Sequence, residues 1–203
     1  MDEDKFIAAD ELLLGDIEQE IYSEIADVVE RTIAQMESLP DDAADSDYDA
    51  ALGPLNDALA SQIGYAMFLH QQDVSDLAMR FAAGTMPRMR SPAQLMAAGR
   101  ISGETIASHF ERRSPSRFMA NLFGQGRKQI EAQVRAAIAS GVWAIAGNTQ
   151  QITWDEPAKW KWLTKEDEMV CGICRPLNGV IFTEPKEKAH WACRCELLPS
   201  AGA

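Results

Sequence analysis

Cysteine is absent from the first 170 residues of this 203-residue chain, which excludes a disulfide framework or thiol chemistry from most of the protein. Basic residues are nearly as scarce at the front: residues 1–80 hold only Lys5, Arg31 and Arg80 against 20 Asp and Glu. A surface of that sign repels nucleic-acid phosphates and suits either a basic protein partner or plain solvation. No apolar run approaches the roughly 18 to 20 residues that span a bilayer. The start Met1-Asp2-Glu3-Asp4 is acidic where a secretory signal is basic, so the expectation is a soluble protein made in a cytoplasm, with no membrane partner. Also missing are a phosphate-cradling glycine motif, a Gly-x-Ser-x-Gly elbow and a zinc-protease helix motif. The acidic pairs sit on a solvated helix face that does not separate their pKa values for acid and base work. Neither catalysis nor a small-molecule substrate is indicated.

What is present at the front is helical periodicity. Ile17, Ile21, Ile25, Val28, Val29, Ile33 and Met36 recur every three or four positions, which predicts an amphipathic helix closed by Leu39-Pro40. The stretch Asp41 to Asp47 is too polar to pack and reads as part of an acidic linker. A second helix is predicted from Gly53-Pro54, proline suiting a first turn, with Leu55, Leu59, Ile63 and Met67 on its stripe, running to about Ala82. Residues 1–40 thus read as a helical arm, 41–53 as a linker and 54–150 as a helical domain. The arm's apolar row, Ile17 to Met36, is the candidate partner-binding surface, in the manner of a helix laid into a groove.

Past Gly84 the balance of charge reverses, since 16 of the 19 Lys and Arg lie in residues 81–203. Ser91-Pro92-Ala93-Gln94 has the form of a capping box, in which Ser satisfies an orphan amide and Gln reaches back. Brief helices are predicted through Phe110 and Phe118, then a stronger one near Gly126 with Ile130, Val134, Ile138, Val142 and Ile145 on one face, stopped by Gly147-Asn148. Arg112, Arg113, Arg117, Arg127 and Lys128, with Arg135, are the candidates for DNA contact, against the plainer reading of a solvated basic surface. His70 and His109 have no sequence-adjacent carboxylate or cysteine and read as packed or surface histidines.

From residue 151 the period changes. Lys159 to Thr164 alternates as a strand does, with Trp160 and Trp162 on one side. Thr164-Lys165-Glu166-Asp167 reads as a cap, Asn178-Gly179 as a hairpin turn, and Val180-Ile181-Phe182 as the strand leaving it. Around these lie Cys171-x-x-Cys174 and His190-x-x-Cys193-x-Cys195, a zinc-type ligand set with one member too many. Four of Cys171, Cys174, His190, Cys193 and Cys195 are expected to hold a structural zinc ion that rigidifies a module too small to bury a sufficient core. Trp154, Trp160, Trp162 and Trp191 supply apolar area around it. The predicted fold is therefore mainly α, with long amphipathic helices at the amino end and a small α+β zinc-stabilised module over 151–203.

Trp162-Leu163-Thr164, Asp167, Val170-Cys171-Gly172-Ile173-Cys174, Leu177-Asn178-Gly179, Phe182, His190-Trp191-Ala192-Cys193-Arg194-Cys195-Glu196-Leu197 and Pro199 together resemble the carboxy-terminal signature of the Mu F-like minor head proteins, the head-morphogenesis family of tailed bacteriophages. Arg135, Ala136 and Asn148 resemble that family's preceding helix. Gly172 stands where the family often has proline, leaving the turn looser. The resemblance implies a virion protein of few copies, made in the host cytoplasm, that acts in head assembly beside the portal or capsid subunits and touches packaged DNA. Two other classes fit the same residues: a zinc-stabilised nucleic-acid-binding module, and a metal-dependent enzyme with an open site at His190.

Overall fold

One row of the first helix faces inward. In the computed structural model, which describes residues 3–40, 42–82, 90, 91, 93, 94, 127–154, 159–164, 170–184, 186 and 194–200, Glu3–Ser38 form helix α1, with Phe6, Asp10, Leu14, Ile17, Ile21, Ile25, Val29 and Ile33 buried. Most steps along this row are four residues, each overshooting a full turn by about 40°. The buried line therefore winds round α1 and meets more than one neighbour. Helix α2 (Asp45–Ala82) brings Leu52, Leu55, Leu59 and Ile63, and helix α3 (Arg127–Ile152) brings Val134, Ile138 and Val142, into one core with it.

Side-chain pairs give the directions. Phe6 packs on Phe81 with ring centroids 4.8 Å apart, while Glu20 meets His70, so α2 runs antiparallel to α1. Arg127 meets Glu30, Trp143 meets Glu18 and Gln150 meets Asp10, so α3 is antiparallel to α1 as well. The described helices thus form a three-helix bundle in which each helix packs on the other two.

This arrangement corrects the expected division of the chain. Residues 1–40 are not a separate arm: Ile17, Ile21, Ile25, Val29 and Ile33 lie in the shared core, and Val28 and Met36 pack partly buried against it. The row offered to a partner is occupied by the chain's own α2 and α3. Nor does the linker extend to residue 53, because α2 begins at Asp45. Its start is fixed by Asp47, whose Oδ2 accepts the Ala44 N–H at 3.0 Å while its own N–H donates to the Ala44 carbonyl at 2.9 Å. Pro54 sits inside the helix, at a cost of about 3 kcal/mol that the burial of Ala51 and Leu52 on the preceding turn offsets. Gly147-Asn148 does not stop α3, which continues to Ile152. A glycine within a helix costs only about 1 kcal/mol, and buried Ala146, Thr149 and Gln150 on either side hold the helix together.

The end of α3 is finished by Arg90, whose backbone N–H donates to the Thr153 carbonyl at 3.0 Å and whose Nε donates to the Trp154 carbonyl at 3.1 Å. Beside it, Ser91 and Gln94 make the expected reciprocal bonds of a capping box, at 2.8 and 3.3 Å. The brief helices expected through Phe110 and Phe118 lie outside the described residues.

Strands β1 (Lys159–Leu163), β2 (Ile181–Phe182) and β3 (Glu196–Ser200) form an antiparallel sheet in the order β2-β1-β3. Alternation sorts its faces. Trp160 and Trp162, opposite Pro199 and Leu197, point to one side; Lys161 and Leu163, opposite Leu198 and Glu196, point to the other. Pro199 is tolerated because β3 is an edge strand. Leu198 packs against Phe6, Leu77 and Phe81, and Lys161 donates to both carboxylate oxygens of Glu3 at 3.0 Å. One sheet face is thereby bonded to the start of α1 and the end of α2.

Two outcomes follow for stability. Ile25→Ala should cost about 2–5 kcal/mol in urea unfolding, and removal of residues 1–40 should abolish a cooperative transition altogether; a truncated chain that still unfolds cooperatively would show that α1 is dispensable. The second concerns His70, which, against the expectation that it lacks a carboxylate nearby in sequence, has Nδ1 3.2 Å from Asp73 one turn along α2 and Nε2 3.0 Å from Glu20. Partial burial pulls its pKa down, but the two carboxylates together outweigh this and hold it above the ordinary value. The stabilisation is therefore complete below about pH 6.5 and declines as pH rises through the higher folded value. His70→Gln should flatten that decline in pH-dependent melting, with an amplitude limited to about 0–1 kcal/mol by solvent exposure.

Candidate metal centre

The segment Cys171–Cys174 is a tight knuckle. The Cys174 N–H donates to the Cys171 Sγ at 3.3 Å, and the Arg175 N–H donates to the Cys171 carbonyl at 3.0 Å. A short 3-10 turn, Arg175–Leu177, follows with Pro176 in its first turn, where its missing N–H costs nothing. Gly179 then takes φ +77°, a conformation that a side chain resists. This lets the chain join β1 edge-on: the Gly179 N–H donates to the Trp162 carbonyl at 2.7 Å, and the Trp162 N–H donates to the Val180 carbonyl at 2.9 Å. Asn178 adds its Oδ1 as acceptor for the Thr164 N–H at 3.0 Å. The Asn-Gly pair thus closes a longer connection between β1 and β2 instead of a two-residue hairpin.

Cys195 shares its strand parity with Leu197 and Pro199, so it lies on the Trp160 and Trp162 face. Cys174, Cys195, Trp154, Trp160, Trp162 and Leu197 form one buried cluster, with Cys171, Val170, Leu177 and Phe182 packed on it partly exposed. Three of the five expected ligands are therefore gathered on one apolar face. Among the described residues, however, no three His, Cys, Asp or Glu side chains are arranged as a metal-holding group. His190 and Cys193 lie outside the described residues, as do Trp191 and the cap expected at 165–167.

Two observations bear on whether the donors suit a metal. The backbone N–H to Sγ contact at the knuckle stabilises the thiolate form that a metal requires. In addition, the indole N–H groups of Trp154, Trp160 and Trp162 are buried with no acceptor among the described residues. Buried donors of this kind cost about 1–3 kcal/mol each when unmet. The described cysteine sulfurs do not accept them, so the fit to a metal rests on Cys171, Cys174 and Cys195 sharing one face.

The basic candidates are distributed differently. Arg112, Arg113 and Arg117 lie outside the described residues, and Lys128 is exposed at the start of α3. Arg127 donates to both carboxylate oxygens of Glu30, at 2.9 and 2.7 Å, and lies 3.7 Å from Glu131. Arg135 stacks over the Tyr22 ring at 3.6 Å. Both arginines are thus directed at α1, not displayed as part of a basic stripe.

Sequence reasoning missed the residues that join the cysteine lobe to the bundle. Arg194, between the last two cysteines, lies over the Trp143 ring at 5.7 Å, and the Trp143 Nε1 donates to Glu18 at 3.0 Å. Burial raises the Glu18 pKa, and the Trp143 hydrogen bond and the Arg194 charge oppose that rise. A further buried link runs from the Gln150 Nε2 to the Asp10 Oδ1 at 3.0 Å. The only sequence signal for it was an acid at Asp10, set on the apolar row between Phe6 and Leu14. Comparison with protein-family models, with curated proteins and with solved structures finds no match.

Proposed function

We infer that the chain is a non-enzymatic structural protein of a tailed-phage head, a minor component acting beside the portal or capsid subunits, with a carboxy-terminal lobe held by one zinc ion. The observation that supports this reading is the ordered spacing of Cys171-x-x-Cys174, Asn178-Gly179, Phe182 and His190-x-x-Cys193-x-Cys195, the pattern by which the chain resembles the Mu F-like head proteins. Cys171 and Cys174 would supply the first ligand pair, and two of His190, Cys193 and Cys195 the second. Four protein ligands leave no open position for substrate, so the ion's chemistry would be that of a rigid tetrahedral junction. The nucleic-acid reading draws less support, since Arg127 and Arg135 are engaged with Glu30 and Tyr22; Lys128 and the arginines at 112, 113 and 117 remain its candidates for contact with packaged DNA.

Purified reduced protein should carry about one zinc per chain, measured by metal analysis after dialysis. Cys174→Ser should lose it and shift Trp emission to the red as Trp154, Trp160 and Trp162 become wet. Metal-free protein whose lobe still melts cooperatively would remove the zinc part of the reading. The virion part is tested separately, by mass spectrometry of purified heads. The chain should be present there at far fewer copies than the major shell subunit, and heads that lack it would refute the assignment.

A further inference from the structure

The outward side of α2 carries an apolar cluster that neither the bundle core nor the cysteine lobe uses. Tyr65, Phe68 and Leu69 are 60%, 61% and 49% exposed, and their spacing of three and four residues sets them side by side on one face. A lone exposed leucine needs no explanation. Two aromatics and a leucine grouped together are of the composition that anchors protein interfaces.

The rim of the cluster selects the occupant. Toward the amino end of α2 the exposed face continues through Ser61 to Asp57, and toward the carboxy end through Gln72 to Asp73. Asp76 follows, accepting the Gln72 Nε2 at 2.8 Å, and Asp73 and Glu20 of α1 both meet His70. Helix α2 contains no Lys or Arg before Arg80. A second copy of the chain would set this acidic rim against itself, and a nucleic acid or an anionic lipid surface would be repelled.

We propose that the face formed by Tyr65, Phe68 and Leu69 docks an amphipathic helix of another protein whose apolar stripe is bordered by Lys and Arg. The aromatic pair supplies the buried anchor. The surrounding carboxylates meet the basic border, which sets register and speeds encounter more than it adds affinity. The site is independent of the cysteine lobe and of any metal there.

The test uses the full chain, titrated with a fluorescently labelled synthetic helix that has one leucine face bordered by lysines, and with the same helix carrying glutamates in place of the lysines. The lysine helix should bind, more weakly as salt rises, and the glutamate helix should not. A double variant, Tyr65→Ser with Phe68→Ser, should weaken binding by roughly tenfold or more while keeping the wild-type helical signal, since both side chains point to solvent. Failure of the lysine helix to bind, or equal binding by the variant, overturns the proposal. So does sedimentation showing a dimer of the wild-type chain that Phe68→Ser dissolves, which would assign the face to a second copy.

Discussion

Burial of the α1 row between α2 and α3 is the interaction on which the rest depends. Helix α1 is poorly equipped to be a helix alone: Ile17, Ile21, Ile25, Val29 and Ile33 are β-branched, with restricted side-chain freedom. On its outer side Asp16, Glu20 and Glu24 follow one another at four-residue spacing, where like charges repel. What holds the helix is tertiary, each buried isoleucine contributing about 1.5–3 kcal/mol. The dependence is mutual, because Leu55, Leu59, Val134 and Ile138 lose their shared core without that row.

The charge asymmetry of the chain is resolved in the same place. Acids of α1 meet bases drawn from the later sequence: Glu3 is paired with Lys161, Glu30 with Arg127, and Glu18 feels Arg194 through Trp143. His70 answers Glu20 from α2. An acidic front half and a basic back half need not seek different environments when the fold places one against the other. Surface pairs of this kind add little stability individually. Their effect is on orientation, since each fixes which side of α1 a later element must approach. On α2, where Asp73 meets His70, no Lys or Arg precedes Arg80, and this gives the outward face of that helix its acidic sign.

Much of this was legible in the sequence, and what was not has a common cause. The rows at Ile17–Ile33 and Leu55–Met67, the end of α2, the alternating Trp160 and Trp162 and the capping box at Ser91-Gln94 all rest on local periodicity or local bonding. The errors arose where long-range burial overrode a local signal. Pro54 and Gly147-Asn148 are breakers in isolation, yet buried neighbours carry α2 and α3 through them. A periodic row announces that it will be covered and does not say by what, so the Ile17 row was given to a partner when its cover lay in the same chain. For the cysteine site, the knuckle and the parity of Cys195 were visible in spacing. Arg194 over Trp143 was not, because no local pattern relates residues so far apart.

Strand β3 shows why the carboxy-terminal lobe needs support from two sides. Leu197 and Leu198 are adjacent and point oppositely, one into the tryptophan and cysteine cluster, the other onto Phe6 and Phe81. The bundle secures only the second face. On the first, three indole donors are buried beside three cysteines in a cluster whose other members are apolar. None of the described sulfurs accepts those donors, and bare thiolates gathered together would repel one another and carry a desolvation cost of several kcal/mol each. A zinc ion held there, as proposed, would cancel the charge that burial penalises. The proposal of a metal in this lobe therefore rests on the spacing and the shared face of the cysteines, with the tryptophans supplying the apolar surroundings.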